Sequence, residues 1–370
     1  MIDMNKGGRT TSWRFVRVRR VIGWKSEAYE DNAYEEVGTV SGITSCRIEE
    51  AQLTSLKVSG SIEYVDMPDL GDDLLRVYAD MELDGEVESK CYGTFFVYSK
   101  SEEICEGSHV GTADLYSVLV LLEQRLLEGN YAVGAAYTAN YLPVVSEMVY
   151  EVGLPLMLTP GGWEVAAIKT WEVGTSFLEM ANDIMELYGY GSLNVDVWGN
   201  VIAKPYQDPE TAVATTVFSD TEEDVSDETI KREWDVHDTP NVVVVRSKLK
   251  DDSEVIGSAE NADPNNPYST AARGMRIVRF EEVEGLETKA QCQEKAKALL
   301  IEGMQSIERL TIGHAGKRFN AGDTVAVDYQ RSGLSGKYSA YKRSVKATPD
   351  TESETTMRRT VKLYGNVAKS

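Results

Sequence analysis

Four patterned segments in the last third of the chain follow one another in an order that constrains the fold more than any other feature. The first is an all-valine strand, Asn241-Val-Val-Val-Val-Arg246, and the second is a helix-like segment, Thr288–Leu300. The third and fourth, Phe319–Tyr329 and Gly333–Tyr341, have the alternation and turn residues of a closing β-meander. This order describes an architecture and contains no chemistry. It therefore favours a structural protein that assembles into a larger object.

Length and composition indicate an ordinary folded chain of several domains. At 370 residues the chain is too long for one compact core, which predicts two to four domains. With 42% hydrophobic and 26% charged residues it is neither disordered nor membrane-spanning. The longest apolar run, Leu115–Leu122, is well short of the roughly 18–20 residues of a spanning helix. No signal peptide is visible, so we expect the protein to start in the cytoplasm.

The formal net charge of −22 is unevenly distributed. Residues 1–25 carry a net charge of +6, as do residues 313–370, and this leaves −34 for residues 26–312. A chain this acidic in its middle is not expected to bind duplex DNA by neutralising phosphates. Its acidic surface would repel nucleic acid, while its basic ends would meet acidic neighbours. The alternative is that the charge serves solubility alone.

The cysteines and histidines show no pattern of a metal or redox site. The four cysteines, Cys46, Cys91, Cys105 and Cys292, lack C-x-x-C spacing. The three histidines, His109, His237 and His314, are far from one another in the sequence. We interpret all four cysteines as buried or half-buried thiols. No metal ion or cofactor is predicted.

The first 36 residues are predicted to be an N-terminal arm or extension. Within them Trp13–Ile22 alternates like a strand, although neither side of the alternation is clean. Such a strand suits a sheet edge or a pairing between subunits better than a core. A nucleic-acid-binding arm is the alternative interpretation of its arginines and aromatic residues.

Residues 37–114 have β patterning throughout and predict a first tube-like β-barrel domain. Four short strands are separated by turn signals at a spacing of about ten residues. They are Ile43–Ile48, Ser55–Val65, Leu74–Met81 and Gly93–Ser99, and a fifth strand, Ser108–Asp114, would close the barrel.

Residues 115–218 predict a small α/β insert domain. Three helices are expected at Leu115–Glu128, Tyr141–Val152 and Thr175–Tyr188, the last with Ser176 and Glu179 as a capping box. A hairpin at Leu193–Pro205 follows them. Residues 219–370 then predict a second tube-like β-barrel domain with a helix at 288–302. The predicted fold class is a β-rich α+β protein in which two antiparallel β-barrel domains bracket the insert.

No motif of an active site is present. Cys105 and His109 are the one conceivable nucleophile pair, but on a single strand they would be ~13 Å apart. His237, between Asp235 and Asp238, is interpreted as a turn histidine. No catalytic, cofactor-binding or metal-binding residue is predicted, and the protein is not expected to be an enzyme.

The order of the pieces resembles the tail-hub, or baseplate-hub, proteins of tailed bacteriophages and related contractile injection machines. The resemblance rests on the Asp-x-x-Gly hairpin, the Asn-x-Val-Val-Val strand, a patterned helix and a Gly-Asp-x-Val meander, and it covers roughly residues 37–365. The matching residues are Asp196, Gly199, Asn241 to Val245, Thr288, Ala296, Leu299, Leu300, Gly322 to Val325 and Gly336 to Tyr338. Cys292 stands where the helix pattern has its first alanine.

The resemblance implies a structural virion protein at the tail tip. Hubs of this family are homotrimers whose paired barrels form a pseudo-sixfold ring. The ring would join a tail-tube or distal-tail ring on one side to a tip, spike or fibre protein on the other. DNA would pass through its channel without specific binding, since an acidic lining does not adhere to it. Assembly would take place in the host cytoplasm.

A second hypothesis is a distal-tail or adhesin-type module that binds a glycan of the host surface. Aromatic side chains stack on sugars when they are exposed. Three tryptophans motivate this alternative: Trp163, Trp171 and Trp198.

Overall fold

A computed structural model describes residues 10–21, 33–132, 142–160, 170–205, 211–220, 226–234, 239–249, 253–303, 305–317 and 319–362. The chain divides into two compact units. Unit 1 comprises residues 1–228, 312–336 and 340–355, and unit 2 comprises residues 229–311, 337–339 and 356–370. The sequence prediction for His237 and its two aspartates lies outside the described residues. The four domain ranges given above stay a prediction.

The described residues of the first β-rich segment form seven strands of unit 1. They are β1 (Thr10–Arg20), β2 (Tyr34–Thr39), β3 (Ile43–Ala51), β4 (Val58–Val65), β5 (Leu74–Leu83), β6 (Glu86–Cys105) and β7 (Ser108–Ser117). Their order in the sheet is β3-β4-β7-β6-β5-β1-β2. Strands β5, β6 and β7 form a meander. Strand β4, which precedes them in the chain, lies beside β7, so the four strands form a Greek key. All five strands predicted between residues 43 and 114 are confirmed, but β7 lies between β4 and β6 rather than at a closing seam.

Strand β1 is an interior strand, so its predicted place at a sheet edge is wrong. It pairs with β5 on one side and β2 on the other. Phe15 is buried in one hydrophobic core and Val16 and Val18 in another. Because both faces of the strand are covered at these residues, its sequence shows no clean alternation.

The C-terminal meander belongs to the same sheet, and residues 324–336 and 340–355 of it lie in unit 1. Its strands are β19 (Thr324–Tyr329), β20 (Leu334–Lys346) and β21 (Glu352–Lys362), with the short β13 (Thr216–Ser219) parallel to β19. Strand β20 pairs with β3 in antiparallel register, with Arg343 opposite Glu50. The strand-rich antiparallel architecture is thus confirmed. The described strands form an open path that ends at β2 and no closed barrel.

The described part of the insert contains three helices: α1 (Val120–Gln124), α2 (Leu142–Glu151) and α3 (Phe177–Leu187). Its strands are β8 (Tyr131–Ala132), β9 (Leu156–Leu158), β10 (Thr170–Trp171), β11 (Asn194–Val195) and β12 (Val201–Ala203). Helix α3 begins where predicted, since Ser176 Oγ accepts a hydrogen bond of 3.1 Å from the Glu179 N–H. Helix α1 is shorter than the predicted 115–128, because Leu115 is a strand residue that pairs with Gly60 and Val97.

In unit 2 a three-stranded sheet packs on one helix. The strands β15 (Val242–Lys248), β16 (Glu254–Glu260) and β17 (Val278–Glu282) have the order β16-β15-β17, and α5 (Lys289–Gly303) covers one face. The predicted valine strand and helix 288–302 are confirmed. A Cβ at Gly257 would lie 2.4 Å from the Gln293 nitrogen, so glycine is required for this close packing.

The remaining described elements are β14 (Ser226–Trp234), α4 (Thr270–Arg273), β18 (Gln305–Ala315) and a 3₁₀ turn at Gln330–Ser332. Strands β18, β20 and β21 each contribute residues to both units. Helix α5 begins with a second capping arrangement, in which the Thr288 and Gln291 side chains each accept from the other residue's N–H.

Candidate assembly surfaces

The Asp196–Asn200 turn, which carries the Asp-x-x-Gly motif, is held by its own aspartate. The Asp196 carboxylate accepts hydrogen bonds from the Trp198 N–H at 2.9 Å and from the Asn200 N–H at 2.8 Å. The Asn200 side-chain amide donates a third bond of 2.7 Å. Gly199 has φ +92°, a conformation that favours glycine. The motif residues therefore shape a rigid turn.

This turn is anchored to the sheet of unit 1 through its backbone carbonyls. The Arg76 guanidinium donates to the Trp198 carbonyl at 3.0 Å, and the Thr94 hydroxyl donates to that of Val197 at 2.9 Å. The Tyr34 hydroxyl donates to the Gly199 carbonyl at 2.6 Å. Nothing in the sequence pattern singled out the sheet residues, because an arginine in a strand gives no sign of the carbonyl it will meet.

A buried ion pair connects β3 with the C-terminal meander. The Glu50 carboxylate accepts from Arg343 Nη2 at 2.7 Å and from the Ala321 N–H at 3.0 Å. Arg343 also donates to the Phe319 carbonyl at 2.6 Å and stacks on that ring. Only 6% of the Glu50 side chain and 3% of the Arg343 side chain are exposed. The pair thus fastens the predicted Gly322-Asp323 segment to the sheet.

His314 lies beside this pair as a neutral imidazole. Its Nδ1 accepts a hydrogen bond of 3.0 Å from the Lys317 N–H, and its Nε2 lies 2.8 Å from the Thr355 hydroxyl. Burial, together with the positive charges of Arg343 and Lys317, lowers the pKa of His314 to about 3. His314 is therefore a buried histidine whose two ring nitrogens both have hydrogen-bond partners.

The end of the β6–β7 hairpin projects from the sheet, and we call residues 101–110 the arm. The hairpin turns at Glu106-Gly107, with φ +52° and +92°, the conformation of a type I′ turn. Nine of the ten arm residues are exposed. Glu102 accepts from the Tyr64 hydroxyl at 2.7 Å and lies 3.5 Å from His109 Nδ1.

The arm does not form a nucleophile site. Cys105 and His109 lie on opposite strands of the hairpin and not on one strand as the sequence suggested, with Ile104 opposite His109. Cross-strand neighbours share a face, so the Cys105 and His109 side chains leave opposite faces. Cys105 is exposed, which corrects the prediction that it is buried or half-buried; Cys46, Cys91 and Cys292 are buried as predicted. Burial raises the pKa of the Cys46 thiol to about 12.

A groove of about 260 Å³ lies on the insert between α2, α3 and the segment 125–131 that follows α1. Its floor is apolar, with Val144, Met148 and Phe177 buried. Its rim is charged: Arg125 forms ion pairs with Glu128 and Glu151 at 2.8 Å each.

The two described tryptophans of the glycan hypothesis differ in their exposure to solvent. Trp171 is buried and its indole N–H donates to Asp183 at 2.8 Å. Trp198 is 44% exposed on the anchored turn, and the Arg76 guanidinium lies 5.2 Å from its ring centroid. Trp163 lies outside the described residues.

Within the described ranges, no group of three or more His, Cys, Asp and Glu side chains has the geometry of a metal site. Among the same residues, no helix combines the length and the apolar character needed to cross a membrane.

The comparisons with known proteins identify the fold. No family model and no curated protein matches the sequence. Among solved structures, the tail protein from Neisseria meningitidis MC58 superposes with a TM-score of 0.60 at 14% identity, covering 96% of this chain and 97% of that one. The 43 kDa tail protein of prophage MuSo2 from Shewanella oneidensis gives 0.62 at 10% identity, covering 94% and 98%.

A chain of the Francisella PdpA–VgrG complex gives a TM-score of 0.53 at 8% identity, covering 98% of this chain and 60% of that one. The resemblance predicted from the order of elements is thus confirmed as a shared fold. At these identities the likeness shows the fold alone.

Proposed function

We propose that this chain is a structural subunit of a phage tail tip, and that three copies form the hub ring of the tail. One observation carries the proposal: the chain shares its fold with two tail proteins over 94% or more of its own length and 97% or more of theirs. A match from end to end supports a common architectural role better than a match of one domain would.

In the proposed ring each copy supplies two tube-like domains, from residues 37–114 and 219–370, so that three copies give pseudo-sixfold symmetry. One side meets the tail tube or a distal-tail ring, and the other side meets the tip, spike or fibre protein. Such rings use two different surfaces of each copy, in contacts whose rotation closes. Strand β2 supports this arrangement, because it ends the described path of the unit 1 sheet and five of its six residues are exposed.

The charge of the described hairpins supports a channel that DNA crosses without binding. The β5–β6 hairpin carries Glu82, Asp84, Glu86 and Glu88 around its turn, and the arm carries three more glutamates. Carboxylates at such a density repel the phosphate backbone. The protein then acts by shape and charge, without catalysis, in the virion after assembly in the host cytoplasm.

Sedimentation velocity of the purified chain tests the trimer, and cryo-electron microscopy of assembled tails tests the ring. We expect a species of three times 41.0 kDa and threefold symmetry at the tail tip. A well-folded chain that stays monomeric, together with tails that contain no ring of this protein, would refute the proposal. Mobility-shift assays with duplex DNA at physiological salt should show no complex.

A further inference from the structure

The sheet of unit 2 has one face that α5 does not cover. Val243 and Val245 of the central strand β15 point to α5 and form a buried core with Cys292 and Leu300. Val244 alternates with them and points to the other face. The register places Ser258 of β16 and Phe280 of β17 on either side of Val244. We call this second surface the open face.

The open face is apolar at its centre. Ile256, Val278 and Phe280 are 49%, 54% and 54% exposed, although each is a large hydrophobic residue on a regular strand. Val244 is half-buried between them. Neighbouring apolar residues on one exposed sheet surface differ from scattered ones, since a contiguous patch marks an interaction site.

The charges around the open face are balanced. Arg246 forms ion pairs with Glu254 at 3.2 Å and with Glu282 at 2.8 Å, and its guanidinium stacks on Phe280. Arg276 pairs with Glu260 at 2.9 Å. With Lys248, which lies opposite Glu254, the surface has three basic and three acidic groups. A net charge near zero is unusual in a chain whose total is −22.

This balance indicates what kind of partner the open face fits. The arm and the rim of the groove are also exposed and partly apolar, but the arm carries a formal net charge of −3 and the rim one of −2. Those acidic surfaces suit a basic partner. A partner as acidic as this chain meets no repulsion at the open face, where apolar burial then provides the affinity.

We propose that the open face of β16-β15-β17 is a contact surface for a second copy of this chain. The inference rests on the proposed function and identifies one of the two surfaces that each copy uses in the ring. The neighbour contributes a different surface, because a closed ring is built from heterologous contacts. Burying Ile256, Val278 and Phe280 on assembly removes the exposed apolar patch.

Charge substitution in the open face tests this inference. Phe280→Glu and Ile256→Arg introduce opposite charges at two places on the face. As the control, Leu53→Glu changes another exposed apolar residue, which belongs to unit 1 and is 66% exposed. We expect the first two to weaken self-association at least tenfold in sedimentation velocity and the control to leave it unchanged. Circular dichroism of each variant should match the wild type, since the substituted side chains are about half exposed.

A photo-crosslinking amino acid at Phe280 provides a second readout in an otherwise unchanged chain. We expect a product of two copies whose crosslink maps to a surface other than the open face. Both charge variants assembling like the wild type, or no product at a concentration where the trimer forms, would overturn the inference and leave the proposed ring standing. A wild-type chain that is monomeric in solution and in tails would overturn both.

Discussion

Replacing Glu50 by glutamine should destabilise unit 1 strongly, because the change removes the counter-ion of a buried arginine. In the native protein Arg343 has its closest charged contact with the Glu50 carboxylate at 2.7 Å, and both side chains are nearly inaccessible. Glutamine has almost the same shape and keeps one oxygen that accepts hydrogen bonds. The substitution therefore tests the charge and not the packing.

The expected magnitude follows from the cost of a buried, unpaired charge. Breaking such a pair by removing one partner costs about 3–5 kcal/mol, against a total stability of roughly 5–15 kcal/mol for a domain. Glu49 lies next along the strand and pairs with Arg47 at 3.0 Å and Lys342 at 3.5 Å, but its side chain is 34% exposed. Glu49→Gln makes the same change in net charge and should cost below about 1 kcal/mol.

Urea unfolding followed by far-UV circular dichroism measures the free energy of unfolding of both variants, and thermal melts measure their melting temperatures. For a unit of this size, about 3 kcal/mol corresponds to a fall in melting temperature of roughly 6–12 °C. The double variant Glu50→Leu with Arg343→Met should recover only part of the loss, since it removes both charges together but leaves the Ala321 N–H and the Phe319 carbonyl without these partners. Equal stability of Glu50→Gln and Glu49→Gln would show that the buried pair does not act as described.

Three further results are expected. Gly199→Ala should be more destabilising than Gly174→Ala in thermal melts: both glycines have φ near +90°, but only at Gly199 would the new Cβ lie 3.0 Å from a neighbour, the Tyr34 hydroxyl. The pKa of His314 is about 3 in the folded protein, against 6.5 for a solvated histidine side chain. The contribution of His314 to the free energy of unfolding is therefore full above about pH 6.5 and declines as pH falls towards 3. In urea unfolding, His314→Gln should flatten the loss of stability between about pH 6.5 and 4.5. Cys105 should react rapidly with a thiol reagent in the native protein while the three buried cysteines do not, and Cys105→Ser should abolish the rapid phase.

The regular elements could be predicted because their local patterns determine them. Alternation located β3 to β7, and the valine run located β15, whose Val242, Val243 and Val245 are buried. Ser176 and Glu179 marked the start of α3 through a hydrogen bond within one turn. In each case the residues that decide the structure lie within a few positions of one another.

Features that depend on distant residues could not be predicted in the same way. Strand β1 has apolar residues on both faces because two cores cover it, and a strand with two mixed faces has the same pattern when it is exposed at an edge. The anchor of the Asp196–Asn200 turn depends on Arg76, 122 residues from the Trp198 carbonyl that it binds. No spacing in the sequence relates residues so far apart.

The pairing of β3 with β20 has a consequence for how the chain acquires its structure. Glu50 and Arg343 are 293 residues apart, and the Trp13 indole donates to the carbonyl of Thr348, 335 residues away. Contacts of such sequence separation form slowly, since the loop between them must first close. During synthesis on the ribosome, the edge of β3 that pairs with β20 therefore stays without this partner until residues 342–346 have emerged. A truncated translation product lacks this seam, so only chains that have been synthesised past it present the finished sheet to their neighbours.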